Sequence, residues 1–547
     1  MGQHKQPGFL RTLFQGTLDS SLLLPFPWPD EEVRETTETV AEMVRDWAHE
    51  AIDPAEIDAR KRIPESVLDG MAELGLFGLT LPEEYGGSGC GQWTYAHVME
   101  ALANRCASTV TVLGGHLGLG TKGLVLYGTE EQKARWFPEL ASGERIAAFA
   151  LTEAGAGSDA GALRTTADPD GNGNWRIDGR KLWITNGGFA RWFLVFARTP
   201  HPDRPDAPLM ERPITAFWVP REASGLTTGE PENKMGLCGS STTEVGLEGV
   251  VVGDDHRVGE LGEGFKVALN VLNSGRHGLA ACCIGQAKLA RDLSLAHAVQ
   301  REQFGRPIAE FGMMRELIAG MDADIYAMEA GCWLTAGLVD RGETETMLEA
   351  AACKMFSTER LWDICNSALQ LTGGTGFMRE YPFERILRDA RINLIFEGTN
   401  QVLRMMLSVQ GTRALVRGEA SEGPESPRFE GAAAGLEREA EVLGELAGAF
   451  AAEARASVER HGKEIREAQH DLRRLSDLAV GLFQTAAVLS RASTCRGELS
   501  EQERDLASLA CRRIEAGLRA TLAECKETPD ELVDRASESR IRASRPS

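Results

Sequence analysis

The 547-residue sequence has no Cys-x-x-Cys pair. Its 11 cysteines are scattered from Cys90 to Cys525, and the adjacent pair Cys282-Cys283 lacks the spacing of a metal site or a disulfide framework. Such usage fits a reducing cytosol. Basic residues are also scarce: with Lys+Arg 59 against Asp+Glu 81 the net charge is −22, which repels a phosphate backbone and excludes a nucleic-acid role. Any anionic ligand must therefore be met by local cations. No run approaches the roughly 18 apolar residues of a spanning helix, and residues 21–27 are broken by proline. Residues 1–6 have neither the Ser/Thr of a myristoylation signal nor a following apolar core, so no targeting segment is expected and a cytoplasmic, bacterial-type location is.

What is present is enough apolar residue, 42%, for several cores, and three or four packed units are expected. Residues 29–140 carry helical spacing, as in Val67, Leu68, Met71, Leu74 and Leu76, interrupted by a loop at 82–91. Between 145 and 258 the period shortens to strand-like runs at 147–151, 175–177, 193–197 and 214–219. The dipeptides Asp170-Gly171, Asp178-Gly179 and Asn186-Gly187 predict turns between them, hence a small antiparallel β domain. Helical spacing returns over 264–410, with loops at 301–311, 341–344 and 372–382. Linker composition follows at 417–430, and then a helical tail in which Leu436, Ala440, Leu443, Ala447 and Phe450 share a face and Ser500 with Glu503 forms a capping box. The expected boundaries are 1–144, 145–260, 261–416, a linker at 417–432, and 433–547.

Five segments carry chemistry-bearing residues. Thr152-Glu153-Ala154-Gly155-Ala156-Gly157-Ser158-Asp159-Ala160 contains a GxGxxA match, but a Pro-Asp-Gly turn soon follows and leaves no room for the helix that a Rossmann site requires. Its backbone N–H groups and the hydroxyls of Thr152 and Ser158 suit a flavin ring or its pyrophosphate; a plain glycine-rich turn is the alternative. In Lys181-Leu182-Trp183-Ile184-Thr185, strand alternation puts Trp183 and Thr185 on one face, a shelf for an isoalloxazine or an ordinary core position. Gln300-Arg301-Glu302-Gln303-Phe304 places Arg301 at a helix end, for a phosphate or for solvent. Gln370-Leu371-Thr372-Gly373-Gly374 permits close approach of a ligand, or caps a helix. In Ile395-Phe396-Glu397-Gly398-Thr399-Asn400-Gln401 a carboxylate lies among apolar side chains, which raises a carboxyl pKa and readies a general base; a buried ion pair is the commoner cause of such a pattern.

Together, in this order and in a helical, β, helical frame, these segments resemble the acyl-CoA dehydrogenase family over residues 30–412. The sharing of Leu-Gly-x-His near Gly118, of Ile-Phe-Glu-Gly-Thr-Asn and of an added C-terminal domain is most similar to its very-long-chain branch. The resemblance implies a mainly α fold with a central β domain: an N-terminal helical domain, a middle antiparallel β-barrel, a C-terminal helical bundle and an extra helical domain. It implies FAD held by Phe149, Leu151, Thr152, Ser158, Trp183, Ile184 and Thr185 at the ring. Arg301, Gln303, Phe304, Phe311, Gln370, Gly373 and Gly374 would meet the adenosine and pyrophosphate, partly across a dimer interface, and Thr399 and Gln401 would close the site.

By the same resemblance, Glu397 removes the pro-R α-proton of an acyl-CoA while the β-hydrogen passes to FAD, giving a trans-2-enoyl thioester. The backbone N–H of Glu397 helps to hold the enolate oxygen. Ser158, Asn273, Arg276, Glu397 and Gly398 contact the thioester, Arg276 buttressing the base loop. Some members carry the base at the position of Gly275, which cannot serve here, and Ala154 departs from the Pro usual in the flavin turn. Small residues around Gly114 predict room for a long acyl chain, and so fatty acid β-oxidation with electron-transferring flavoprotein as acceptor. A homodimer is implied in place of a tetramer. The stripe Leu472, Leu475, Leu478, Ala479, Leu482, Phe483 and Ala486 serves core packing or a weak peripheral contact with the inner membrane. An acyl-CoA oxidase, which passes electrons to oxygen, and an assembly scaffold of the same fold are the other readings.

Overall fold

The computed structural model describes residues 6–342, 345–419, 427–495 and 498–544; residues 1–5, part of the expected loop at 341–344 and part of the expected linker lie outside the described residues. The chain forms two compact units. One comprises residues 29–317 and 357–398, the other residues 1–28, 318–356 and 399–547. The expected helical domain 261–416 is therefore shared between units, the division passing through the Gly312–Arg341 and Met347–Thr372 helices. Residues 1–28, expected with the first helical unit, group instead with the C-terminal part. Four of the six residues of the Phe9–Phe14 helix are buried apolar side chains that need a core; the ring of Phe14 meets that of Phe450 edge-on (4.9 Å) and the ring of Phe9 meets that of Phe483 at a tilt (6.1 Å).

The first unit begins with the Glu31–Ala51 helix, stopped at its N-terminus by Asp30, whose carboxylate accepts from the Val33 N–H. Val67, Met71 and Leu76 are buried as their spacing predicts. The helices Gln92–Ala103 and Ala107–Leu113 precede a π-helix over Gly114–Gly120, where helical spacing alone predicts ordinary α-helix.

Eight strands follow: β1 (Ala147–Ala150), β2 (Thr166–Pro169), β3 (Asn174–Thr185), β4 (Trp192–Arg198), β5 (Ile214–Pro220), β6 (Leu226–Thr228), β7 (Thr242–Gly253) and β8 (Arg257–Val258). They form one sheet in the order β6-β7-β3-β2-β4-β5-β8, with β1 beside β4. The sheet is mixed rather than purely antiparallel, since β1 and β2 run parallel to β4. Phe193, Val195, Phe217, Val219, Val245 and Val250 fill its core.

Asp178-Gly179 is not a turn. It lies inside the twelve-residue β3 at a register shift, where a Cβ on Gly179 would stand 2.4 Å from the Thr165 hydroxyl, so the glycine serves close strand approach. The Gly264–Gln300 helix that follows is buried continuously from Gly275 to Ala287.

In the other unit, the stripe Leu472 to Ala486 lies inside the packing of the Glu437–His461, Gln469–Ser493 and Glu501–Lys526 helices, with every member buried. It is core, and offers no face to a membrane. Among the described residues no helix is long and apolar enough to cross one.

Candidate active site

A cavity lies in the first unit between the Gln92–Ala103 helix, the π-helix and the Gly264–Gln300 helix. Glu397, Phe396, Gly275 and Thr185 line it, as do Gly114 and Gly118. The proximity of Glu397 and Gly275 is steric as well as sequential: a Cβ built on Gly275 would stand 2.9 Å from both carboxylate oxygens of Glu397 and 2.9 Å from Leu119 Cδ2. Only glycine leaves the carboxylate this place. Glu397 itself has φ 60 and Gly398 φ 92, so the base sits on a left-handed turn that costs a non-glycine residue on the order of 1–3 kcal/mol and aims its side chain.

Arg276 secures that turn. Its Nε–H donates to the carbonyl of Glu397 at 3.1 Å, and Nη1 donates to Asn273 Oδ1 at 2.6 Å. It is only 5% exposed; burial draws its guanidinium below the ordinary value, and the carboxylate of Glu397 opposes that shift. The sequence-predicted trio Asn273, Arg276 and Glu397 is thus brought together. Tyr95, Leu237 and Asn393 also line the cavity and carry no motif that names them. Leu237 is held through its N–H by the buried carboxyl of Asp389, which burial lifts to about 6.

The segments expected at a flavin ring lie on and beside β3. Strict alternation puts Lys181 and Trp183 on one face. The register shift between Lys181 and Ile184 breaks it: Lys181 and Ile184 turn into the sheet, and Trp183, at φ 57, is 59% exposed with Thr185 beside it. Any part that Ile184 plays at a flavin must come from its main chain. The Thr152–Ser158 loop is pinned at its base by a pair that sequence reasoning missed. Glu153 accepts from Lys181 Nζ (2.8 Å), from the Thr165 hydroxyl (2.6 Å) and from the N–H groups of Arg164 and Thr165. Lys181 is 0% exposed and also donates to the carbonyls of Leu151 and Phe196. Burial lowers its ammonium to about 8, while the attraction of Lys181 holds the Glu153 carboxylate below its usual value against the opposing effect of burial. Charges of opposite sign in two otherwise apolar strand contexts were the available signal.

With its base fixed, the loop presents Gly155, Gly157 and Ser158 to solvent, and Phe149 is half-buried against Phe196. An exposed indole, a hydroxyl and a row of presentable N–H groups fit a flavin ring. Arg301, Gln303 and Phe304 form an exposed hairpin (Glu302–Gln303 with Arg306–Pro307), Phe304 being 94% exposed and near Phe311 at 6.1 Å. Gln370, Gly373 and Gly374 are likewise exposed, and Gly373 has a backbone (φ 59, ψ −139) that glycine alone adopts readily. In the other unit, Thr399 caps the Asn400–Gly411 helix by accepting from the Val402 N–H, Gln401 is exposed, and the buried Lys354 donates to Asn400 Oδ1 at 2.7 Å.

Of the small residues here, Gly114, Gly115 and Gly118 line the cavity; a Cβ on Gly115 would also meet Asn186 and Thr185, and one on Gly120 would meet Ala147, so Gly115 and Gly120 admit the β sheet. His116, fully buried between them, accepts from the Ala147 N–H through Nδ1 and locks the π-helix to β1; burial depresses it to about 4, which keeps it neutral.

Comparison with known proteins agrees over most of the chain. Family models match as follows: acyl-CoA dehydrogenase, N-terminal domain at 34–144, middle domain at 148–250, C-terminal domain at 262–411, and the ACAD9/ACADV, C-terminal domain at 434–541. The very long-chain specific acyl-CoA dehydrogenase of Homo sapiens is 37% identical, over 94% of this chain and 84% of its own. An acyl-CoA dehydrogenase complexed with FAD from Bacillus anthracis superposes with a TM-score of 0.81 at 30% identity, covering 90% of this chain and 88% of that one. A chain in the structure of the electron transferring flavoprotein of Acidaminococcus fermentans has a TM-score of 0.65 at 33% identity, covering 68% of this chain and 97% of that one. With a carboxylate on a left-handed turn in the wall of a chiefly apolar cavity and an exposed indole on β3, this chain belongs to the acyl-CoA dehydrogenase family of FAD-dependent enzymes, with the added C-terminal domain of the ACAD9/ACADV group.

Proposed function

We propose that the protein oxidises long- or very-long-chain acyl-CoA to trans-2-enoyl-CoA and passes the electrons to an electron-transferring flavoprotein, as a step of fatty acid β-oxidation. The observation that carries this is the Glu397 carboxylate seated against Gly275 in the wall of a cavity whose lining is chiefly apolar.

In this reading Glu397 takes the α-proton. Arg276, through the Glu397 carbonyl, holds the turn that aims the carboxylate, and Gly275 provides its space. Trp183, Thr185 and the Thr152–Ser158 loop hold the flavin face, while Arg301, Gln303, Phe311, Gln370, Gly373 and Gly374 hold the rest of the cofactor. When bound, FAD accepts the β-hydrogen with its electron pair, so that the α,β bond becomes double. The proton-accepting carboxylate is shielded by Phe396, Tyr95 and Leu119, which exclude water from the reacting carbons. The exposure of Phe304, Met313 and Phe377 on the single chain supports a homodimer in which a second copy covers this apolar surface. Gly114 and Gly118 support a long chain.

Glu397→Gln tests the assignment: the variant remains yellow with bound FAD yet loses roughly 10³-fold or more in rate, about 4 kcal/mol of barrier. Anaerobic flavin bleaching across saturated acyl-CoAs of increasing length tests the substrate class. Turnover that depends on electron-transferring flavoprotein, with little peroxide, separates this reading from an oxidase.

A further inference from the structure

The Gly264–Gln300 helix contributes Gly275, Gly278, Leu279, Cys282 and Gln286 to the cavity, a spacing of three, four and seven that makes one face of a helix. From Gly275, where Glu397 sits, to Gln286 is eleven residues, hence about 16 Å along the axis at the usual rise. The face is apolar until its last member. Gln286 is 4% exposed, and its side-chain Oε1 has no hydrogen-bond partner among the described residues. A buried amide oxygen left so is costly.

Gln286 and Ala107 also line a second, smaller pocket, so these two residues belong to both linings. The character of the wall changes there: Ser108, Asp58, Arg105 and Asp389 replace the apolar lining. The guanidinium of Arg105 is engaged by the carbonyl of Ile52, and the cations Arg105 and Arg385 balance the acidic Asp58 and Asp389 in this lining, so it favours neither sign of charge. What fits at this junction is a small neutral group that both donates and accepts hydrogen bonds, and so satisfies whichever atom of the amide it meets.

We propose that Gln286 is a specificity-determining residue that recognises a hydroxyl at the far end of the acyl chain, so that the substrates include ω-hydroxyacyl-CoA. Carbon–carbon bonds of about 1.5 Å at a tetrahedral angle advance an extended chain roughly 1.3 Å each, so about 16 Å spans about a dozen carbons beyond the α-carbon at Glu397. The favoured hydroxyl therefore lies near the end of a chain of about C14 to C16. The inference rests on the reading of the chain as an acyl-CoA dehydrogenase.

The test compares kcat/KM for saturated and ω-hydroxy acyl-CoAs at each length from about C10 to about C20, for the wild type and for Gln286→Leu. At most lengths a terminal hydroxyl weakens turnover, because it is buried without a partner; near C14 to C16 the ratio of hydroxylated to plain substrate rises by roughly tenfold, mainly through KM. Gln286→Leu flattens that maximum. The absence of any maximum in the wild type overturns the proposal even if the variant fails to fold, and a maximum that survives Gln286→Leu overturns it as well. A preference for an ω-carboxylate over the ω-hydroxyl would show an anion site instead, and refute it. Bleaching by plain chains without a hydroxyl effect leaves the proposed function standing and removes this inference; no bleaching by any chain removes both.

Discussion

Gly275→Ala isolates the seat of the catalytic carboxylate from every other feature of the site. The added methyl would lie 2.9 Å from both oxygens of Glu397 and from Leu119 Cδ2, where 3.4 Å is the lower bound of ordinary contact, so the carboxylate must withdraw by about half an ångström or more. Removing a glycine from the interior of a helix contributes about 1 kcal/mol, and overpacking costs about 1–3 kcal/mol, so the net change in stability is small. The effect on rate is not. A displacement approaching 1 Å at a reacting group costs up to about 10²-fold, and roughly tenfold to hundredfold loss in the rate of anaerobic flavin bleaching is expected, with FAD content and melting temperature nearly unchanged. Glu397→Asp shortens the side chain and vacates the same space. In that background the alanine should therefore cost less than it does in the wild type, a non-additivity of about 0.5 kcal/mol or more for contacting residues. A rate near that of the wild type for Gly275→Ala, or strictly additive effects in the cycle, would refute the steric argument.

Two other perturbations follow from buried charges. Lys181→Met strands the Glu153 carboxylate and releases the base of the Thr152–Ser158 loop; a loss of about 3–5 kcal/mol is expected, read as a lower melting temperature and as FAD lost on gel filtration, with partial recovery in the double variant Glu153→Gln/Lys181→Met. Glu349, buried in the other unit and accepting from the Leu10 N–H, is lifted by burial from 4.5 to about 7. Its folded form prefers the proton, so its contribution to stability is complete below about pH 4.5 and is lost as the pH rises through 7. Glu349→Gln keeps the acceptor without the charge, and should stabilise the protein by roughly 3 kcal/mol above pH 7 and little at pH 4.5, measured as the difference in melting temperature between the two proteins at each pH. An equal difference at both pH values would refute it.

Periodicity alone identified the helical stretches, most of the strands and the stripe from Leu472 to Ala486, because those features depend on which residues must leave water and on the repeat of the backbone. Local sequence offered Glu397 only as a carboxylate flanked by Ile395 and Phe396; it was the resemblance of five separated segments to one family, with Gly275 at the other position where members carry a base, that singled it out.

Tertiary structure decided the rest. The register shift between Lys181 and Ile184 reverses the side on which Trp183 stands, and a bulge depends on the partner strand, not on the strand itself. Glu153 and Lys181 are twenty-eight residues apart, and their pairing exists only once β1 and β3 enclose them. The grouping of residues 1–28 with the C-terminal part, the close approach of Gly115 and Gly120 to the β sheet, and the place of Gln286 in two cavity linings all depend on what lies opposite a residue in space. The sequence by itself determined the kinds of element and pointed to Glu397 as the proposed base; contacts between residues remote in the chain decided where that carboxylate is aimed, how the Thr152–Ser158 loop is anchored and which residues line the cavity beside it.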